Sequence, residues 1–318
     1  MIKDSLSKLK QNIAKVVVGY EDIIDLLMVG FLANGHILIE DVPGLGKTLL
    51  AKVTAVSLDL RFKRVQFTPD LTPTDVTGFY VFDRRTNEFV FREGPVSANI
   101  LLADEINRAV PRTQSSLLEA MEERQVTVDG QTIVLPKPFI VLATQNPIDM
   151  EGTFPLPEAQ LDRFLVKIKM GYPSFAQEME ILDAHGQNDP LKDLKPVISI
   201  GEILDWQQLR GQVKNHPSIS EYIVELVRKT RSHEAVSLGA SPRASLALFK
   251  AAQALAMVRG RDYVIPDDIK RLVKPVLAHR LVLKRDYRLK GITEDHVLEE
   301  LMMDVPIPLE EGEKSLEQ

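Results

Sequence analysis

The chain has 318 residues, of which 44% are hydrophobic and 26% charged, with a formal net charge of -6 and no cysteine. That length predicts two domains or one large one, and the apolar-to-charged balance excludes a disordered chain. The missing thiols exclude a disulfide framework, a thiolate zinc site, an iron–sulfur cluster and a cysteine nucleophile, and they fit a reducing cytoplasm, where the protein is expected to work.

The start, Met1-Ile2-Lys3-Asp4-Ser5, shows no apolar signal-peptide core. The longest apolar stretch, Ile23 to Ile39, is interrupted by Asp25, Asn34, Gly35 and His36, so no membrane span is expected. Before it, residues 3–32 read as two helices parted at Gly19: Leu6, Leu9, Ile13 and Val16 recur at helical spacing, then Ile23, Ile24, Leu27 and Met28. Short apolar runs follow at Ile37-Leu38-Ile39, Val65-Gln66-Phe67, Ile100-Leu101-Leu102-Ala103, Ile140-Val141-Leu142-Ala143 and Leu165-Val166-Lys167-Ile168, with helical segments such as Thr113 to Glu123 between them. This alternation predicts a buried parallel sheet with crossover helices.

Two stretches predict hairpins instead. Tyr80-Val81-Phe82 and Phe89-Val90-Phe91 flank a turn-rich tip at Asp83 to Glu88, and Val126-Thr127-Val128 and Thr132-Ile133-Val134-Leu135 flank Asp129-Gly130, a strong hairpin-turn dipeptide. The exposed aromatic and charged run from Phe79 to Arg85 has no evident core role. After Gly171-Tyr172-Pro173 the pattern turns to helices without further clear strands, punctuated by Pro217, Pro242, Pro266 and Pro275, and a domain boundary is expected between Pro173 and Trp206. This last third is dipolar: Gly239 to Lys290 holds 12 Lys/Arg against 4 Asp/Glu, whereas Gly291 to Gln318 holds 9 acids against 1 Lys. Subunit contacts, a solvated tail or two ordinary surface faces all fit that asymmetry. The six histidines show no metal-ligand spacing and read as surface or satisfied core residues; Trp206 and the methionines read as core packing.

Three motifs carry chemistry. The strand-like Ile37-Leu38-Ile39-Glu40 runs into Asp41-Val42-Pro43-Gly44-Leu45-Gly46-Lys47-Thr48 and then into the helical Leu49-Leu50-Ala51-Lys52-Val53. A phosphate-binding loop needs small residues so that backbone N–H groups can close on phosphate oxygens, a lysine for the β/γ-phosphates, a hydroxyl for Mg²⁺ and a helix N-terminus behind them. Asp41 stands where the full pattern asks for glycine, and aspartate tolerates left-handed backbone angles better than most residues. The second motif is a buried strand ending in Asp104-Glu105, one carboxylate to hold the Mg²⁺ shell and one to polarise an attacking water. The third is Ala143-Thr144-Gln145-Asn146-Pro147, a strand ending in amides that can orient that water. In isolation the second reads equally well as a solvated strand end and the third as a turn before proline.

The set Val42-Pro43-Gly44-Leu45-Gly46-Lys47-Thr48, Asp104-Glu105-Ile106-Asn107-Arg108-Ala109, Ala143-Thr144-Gln145-Asn146-Pro147 and Leu161-Asp162-Arg163-Phe164 resembles the MoxR family of AAA+ ATPases, over a span from about Val18 to about Leu283. Gln66-Phe67-Thr68-Pro69-Asp70 and Leu156-Pro157-Glu158-Ala159-Gln160 match the family as well. The resemblance implies an α/β AAA+ P-loop NTPase core with a five-stranded parallel sheet and an all-α C-terminal lid. The implied division is 1–172 for the N-terminal helices and nucleotide-binding domain, 173–205 for a linker, and 206–318 for the lid with its acidic tail.

It further implies ATP and Mg²⁺ as cofactors, with Val18, Gly19, Pro43, Gly44, Leu45, Gly46, Lys47, Thr48 and Leu49 contacting nucleotide. Thr48 and Asp104 would hold the metal, Glu105 would be the catalytic base, and Asn146 the sensor amide. Arg163 resembles an arginine finger reaching a neighbouring subunit, or else makes a surface ion pair; Arg243 resembles the lid's sensor arginine, or else serves its own helix start. The two hairpins match insertions of the branch containing MoxR proteins, magnesium chelatase subunits and MCM-type helicases. The implied function is ATP-driven, chaperone-like remodelling or metal insertion on protein clients, by a homo-oligomeric, hexameric ring with a von Willebrand factor A-domain partner. The alternative is a DNA-translocating motor of the MCM-like branch. The acidic balance and the absence of Lys or Arg from Val126 to Leu135 argue against that alternative and against nucleic acid as a partner.

Overall fold

A computed structural model of the chain describes residues 2–40, 42, 44–146, 152–185 and 190–308. Asp41, Pro43, Pro147 and the acidic tail from Leu309 onward lie outside the described residues.

The chain opens with α1 (Ile2–Ala14) and α2 (Glu21–Leu32), then alternates: β1 (His36–Glu40), α3 (Lys47–Ser57), β2 (Phe62–Gln66), α4 (Pro73–Thr77), the pair β3 (Gly78–Asp83) and β4 (Glu88–Glu93), β5 (Ile100–Asp104), α5 (Pro111–Glu123), the pair β6 (Gln125–Val128) and β7 (Gln131–Val134), β8 (Ile140–Gln145), α6 (Glu158–Leu161) and β9 (Phe164–Ile168). The remainder is mostly helical: α7 (Phe175–His185), α8 (Ile200–Arg210), α9 (Pro217–Ser232), β10 (Val236–Leu238), α10 (Pro242–Val258), α11 (Pro266–Leu277), β11 (Val282–Leu283), α12 (Arg285–Leu289) and α13 (Glu294–Asp304).

The expected sheet is present, with five parallel strands in the order β2-β5-β8-β1-β9. Its apolar runs are uninterrupted because β1, β5 and β8 are covered on both faces. Alternation along each strand divides the core in two. Ile37, Ile39, Ile100, Leu102, Ile140 and Leu142 face the N-terminal helices and the C-terminal helical region, forming one continuous cluster with Leu9, Leu27, Leu248 and Leu272. Leu38, Leu101, Ala103, Val141 and Ala143 face α5 and the hairpin bases, packing with Leu117, Met121 and Val126. β2 is an edge strand, and of its residues only Val65 is buried.

Both hairpins form. Asp129 and Gly130 have φ of 50° and 79°, the paired positive values a two-residue primed turn requires. At the base of the other hairpin Gly78 has φ 97°, and a Cβ there would lie 2.4 Å from the Arg92 carbonyl oxygen, so only glycine fits. The expectation that the run Phe79 to Arg85 has no core role needs correction at Tyr80, which with Phe91, 5.3 Å away, packs against the second cluster, while Phe79, Phe82, Phe89 and Val90 are exposed.

Two further expectations are corrected. The helical region is not wholly α, since β10 and β11 pair antiparallel; two- and three-residue strands are too short to write a period in sequence. Trp206 is buried as expected, but not all methionines are core, Met303 being 86% exposed.

Candidate functional site

β1 ends beside the start of α3, and the intervening loop passes through Gly44 (φ 91°) and Gly46 (φ 81°). A Cβ at either would meet nothing within 4 Å, so these glycines answer to backbone angle and leave open space beside the chain. Gly46 is the N-cap of α3 and supplies no side-chain cap to the first turn, Lys47, Thr48 and Leu49, whose backbone N–H groups point back along the helix axis toward the loop. That is the electrostatic and hydrogen-bonding setting for an anion. The Lys47 ammonium donates to the Val42 carbonyl at 3.0 Å.

Opposite the helix start are the C-terminal ends of β5 and β8, the edge at which open parallel sheets bind ligands. A cavity of about 260 Å³ is lined by Gly44, Gly46, Lys47, Thr48, Arg64, Gln66, Asp104, Glu105, Thr144 and Asn146. The parallel register of β5 with β8, Ala103 beside Ala143, brings Asp104 and Thr144 together. The Thr144 hydroxyl donates to Asp104 Oδ1 at 2.6 Å and accepts from the Glu105 backbone N–H at 2.8 Å. Glu105 has φ 54° and ψ 51°, a left-handed conformation in which the chain leaves the strand sharply.

Both carboxylates have cationic or amide partners. Arg64 on β2 reaches Asp104 Oδ2 at 2.6 Å through Nη2 and 3.1 Å through Nε. Glu105 Oε2 accepts from Gln66 Nε2 at 2.8 Å and from Arg108 Nη1 at 3.2 Å. Among the described residues no group of three or more His, Asp or Glu is placed to hold a metal. Thr48 and Asp104 on the same cleft suit Mg²⁺, which takes one or two protein oxygens and completes its shell with water and phosphate oxygens.

The structure gathers Gly44, Gly46, Lys47, Thr48, Asp104, Glu105 and Asn146 at one cavity, and, among the described residues, not the other candidates. Val18 is buried in the N-terminal segment, and the Gly19 carbonyl accepts from Gln177 Nε2 at 3.2 Å. Leu45 is buried with the first core cluster. Pro43 lies outside the described residues.

Arg163 and Arg243 meet at a different place, the junction of the sheet with the helical region. Arg163 Nε is 3.0 Å from Glu122 Oε2, and Arg243 Nη1 is 3.1 Å from Glu122 Oε1. Next to them Arg280 is enclosed: Nε to Asp162 Oδ1 at 2.6 Å, and Nη2 to the carbonyls of Phe164 at 2.7 Å and Asp162 at 3.3 Å. The Ser241 hydroxyl donates to Asp162 Oδ2 at 3.3 Å, so Asp162 ties the α6–β9 turn to two parts of the helical region. Burial lowers the Arg280 pKa from its ordinary value, with the charge of Arg243 adding in the same direction, while Asp162 opposes both.

Arg64, Glu122 and Arg280 were not found by reading the sequence. Gln66, Arg108, Thr144 and Asp162 stand inside the quoted motifs, but their partners are set by strand register and chain crossings rather than local spacing. The signal for Thr144 was available: two parallel strands ending level put its hydroxyl beside Asp104. The expectation that each histidine is at the surface or satisfied in the core needs correction at His279: its Nε2 is 3.1 Å from the Phe164 carbonyl and its buried Nδ1 has no partner.

The ATPase family associated with various cellular activities (AAA) matches residues 36–166, and the AAA lid domain matches residues 228–301. The chain is 51% identical to YeaC of Bacillus subtilis, with 96% of this chain and 95% of that protein aligned. It is 44% identical to the chaperone MoxR1 of Mycobacterium tuberculosis, covering 93% and 81%, and 30% identical to the protein MoxR of Methylorubrum extorquens, covering 91% and 90%. A crystal structure of a protein from Cytophaga hutchinsonii, 38% identical, superposes with a TM-score of 0.92 over 97% of this chain and 96% of that one.

Proposed function

The chain belongs to the MoxR family of AAA ATPases, and from that premise we propose that it binds ATP with Mg²⁺ at the Lys47 cleft, hydrolyses it, and uses the cycle to remodel protein clients. The observation that carries the reading is the convergence of a helix start, a lysine, a hydroxyl, two strand-end carboxylates and an amide on one small polar cavity.

The backbone N–H groups from Gly44 to Leu49 and the Lys47 ammonium would close on the phosphates. Pro43 and Leu45 would shape the loop, and Val18 and Gly19, away from the cavity lining, would meet the nucleoside. Thr48 and Asp104 would hold Mg²⁺, which when bound neutralises charge on the β- and γ-phosphates. Glu105 would orient the attacking water once its hydrogen bonds from Gln66 and Arg108 rearrange, with Asn146 fixing that water from the other side. Asp104 is fixed in position because Arg64 and Thr144 each hold one of its oxygens.

Arg163 does not line its own chain's cavity, which supports its acting in a neighbouring subunit's site within a homo-oligomeric ring, expected to be hexameric. Arg243, at the start of α10, would report the phosphates to the lid. Chaperone-like action on protein clients, with metal insertion among the expected tasks, rests on family membership, as does a von Willebrand factor A-domain partner. No described helix is long and apolar enough to cross a membrane. The DNA-motor alternative is not favoured by relatives named as MoxR proteins and a chaperone.

The test is a pair of variants followed by nucleotide binding and phosphate release. Lys47→Ala is expected to lose ATP affinity, whereas Glu105→Gln keeps affinity and turns over about 10²–10⁴-fold more slowly. Equal hydrolysis by wild type and Glu105→Gln sinks the assignment, and strong stimulation by DNA restores the motor.

A further inference from the structure

We propose that Glu122 is a positioning residue: one carboxylate that holds both Arg163 and Arg243 off the phosphates, so that a bound triphosphate must draw each arginine away from it. The inference rests on the nucleotide reading above and assigns Glu122 a task in it.

Glu122 stands in the last turn of α5, and each of its two oxygens takes a guanidinium from a different part of the chain. Arg163 comes from the turn between α6 and β9; Arg243 is the second residue of α10, in the helical region. Neither lines the cavity, and each would have to leave Glu122 to reach a phosphate. The junction holds three guanidiniums, on Arg163, Arg243 and Arg280, against two carboxylates, on Glu122 and Asp162. One positive charge is therefore left over before any anion arrives.

The exposures decide which pair can exchange. Arg280 is 2% exposed and enclosed by carbonyls, so its pair with Asp162 is fixed. Glu122 is 35% exposed, Arg163 28% and Arg243 49%, and ion pairs that wet are worth little individually. Phosphate oxygens carry more charge than one carboxylate and match the guanidinium fork equally well, so they outcompete Glu122 for these two arginines. Glu122 is thus a weak competitor set at the point where both arginines pass between the sheet and the lid.

The experiment measures ATP binding and steady-state hydrolysis for wild type, Glu122→Gln, Glu122→Ala, Arg243→Ala and the double variant Glu122→Gln/Arg243→Ala. Freeing the arginines is expected to tighten ATP binding about threefold in either Glu122 variant, the size of a wet ion pair. KM falls while kcat does not, a split that loosened packing would not produce. In the Arg243→Ala background the gain from Glu122→Gln is expected to shrink, because only Arg163 is then left for the carboxylate to hold. Unchanged or weaker binding in both single variants overturns the proposal, as does a gain of undiminished size without Arg243. Lys47→Ala separates the two levels: if it binds ATP like wild type, the nucleotide site itself is misassigned; if it loses ATP while the Glu122 variants stay inert, only the role of Glu122 fails.

Discussion

Around the cavity, Arg64 and Arg108 approach Asp104 and Glu105 from one side and stay about half exposed; at the junction with the helical region, Arg280 is closed in on every side while its neighbours Arg163 and Arg243 are not. The same side chain serves two ends. A guanidinium sealed among carbonyls is part of the frame, because moving it would strand a buried charge. One resting on a half-exposed carboxylate can be handed to a stronger anion at small cost. Burial, not residue type, sorts this protein's arginines into fixed and exchangeable ones.

The sharpest way to break that division is Arg163→Ala. As an exchangeable group used in a neighbour's site, it should depress turnover by about 10³–10⁵-fold while stability moves by no more than about 0.5 kcal/mol. Mixing Arg163→Ala with Glu105→Gln should restore part of the activity, since some interfaces then pair an intact carboxylate with an intact arginine. Mixed rings that stay inactive although subunits exchange would return Arg163 to the structural class.

Arg280→Ala tests the other class. Removing one partner of a buried pair costs about 3–5 kcal/mol, read as a shift in urea midpoint, and a change below 1 kcal/mol would show that the pair is not part of the frame.

The smallest effect is pH dependence on the buried side. Burial holds His279 well below the ordinary 6.5, with the Arg280 charge adding to it, and burial and Arg124 do the same to His36. The unfolded chain takes up these protons near pH 6.5 and the folded chain does not. Stability is therefore complete above that pH and is lost as pH falls below it, by up to about 1.4 kcal/mol per unit for each histidine. His279→Asn should flatten the urea midpoint between pH 6.5 and 5.5; an unchanged slope assigns the loss elsewhere.

Much of this was legible in sequence for a local reason. Each sheet strand writes its own apolar run, and Gly44 to Thr48 and Asp129-Gly130 declare their backbone angles within a few residues. The functional pairings were not legible where they join distant segments: Arg64 with Asp104, Gln66 with Glu105, Glu122 with two arginines, and Arg280 with Asp162. Charge alone marks these residues as surface, and only the crossing of strands and lid decides which of them are buried or shared. β10 and β11 were missed because their pairing, not their composition, makes them strands.

β2 carries a consequence of its own. It ends the sheet with its outer row of hydrogen-bonding groups facing outward, the kind of border to which a stray strand from another molecule can add. Lys63 and Arg64 stand exposed on that strand, and charges there make such addition unfavourable. Arg64 also grips Asp104. Arg64 thus serves both the guarding of that edge, which it shares with Lys63, and the charge balance at the end of β5, so a change at this one position disturbs two properties at once.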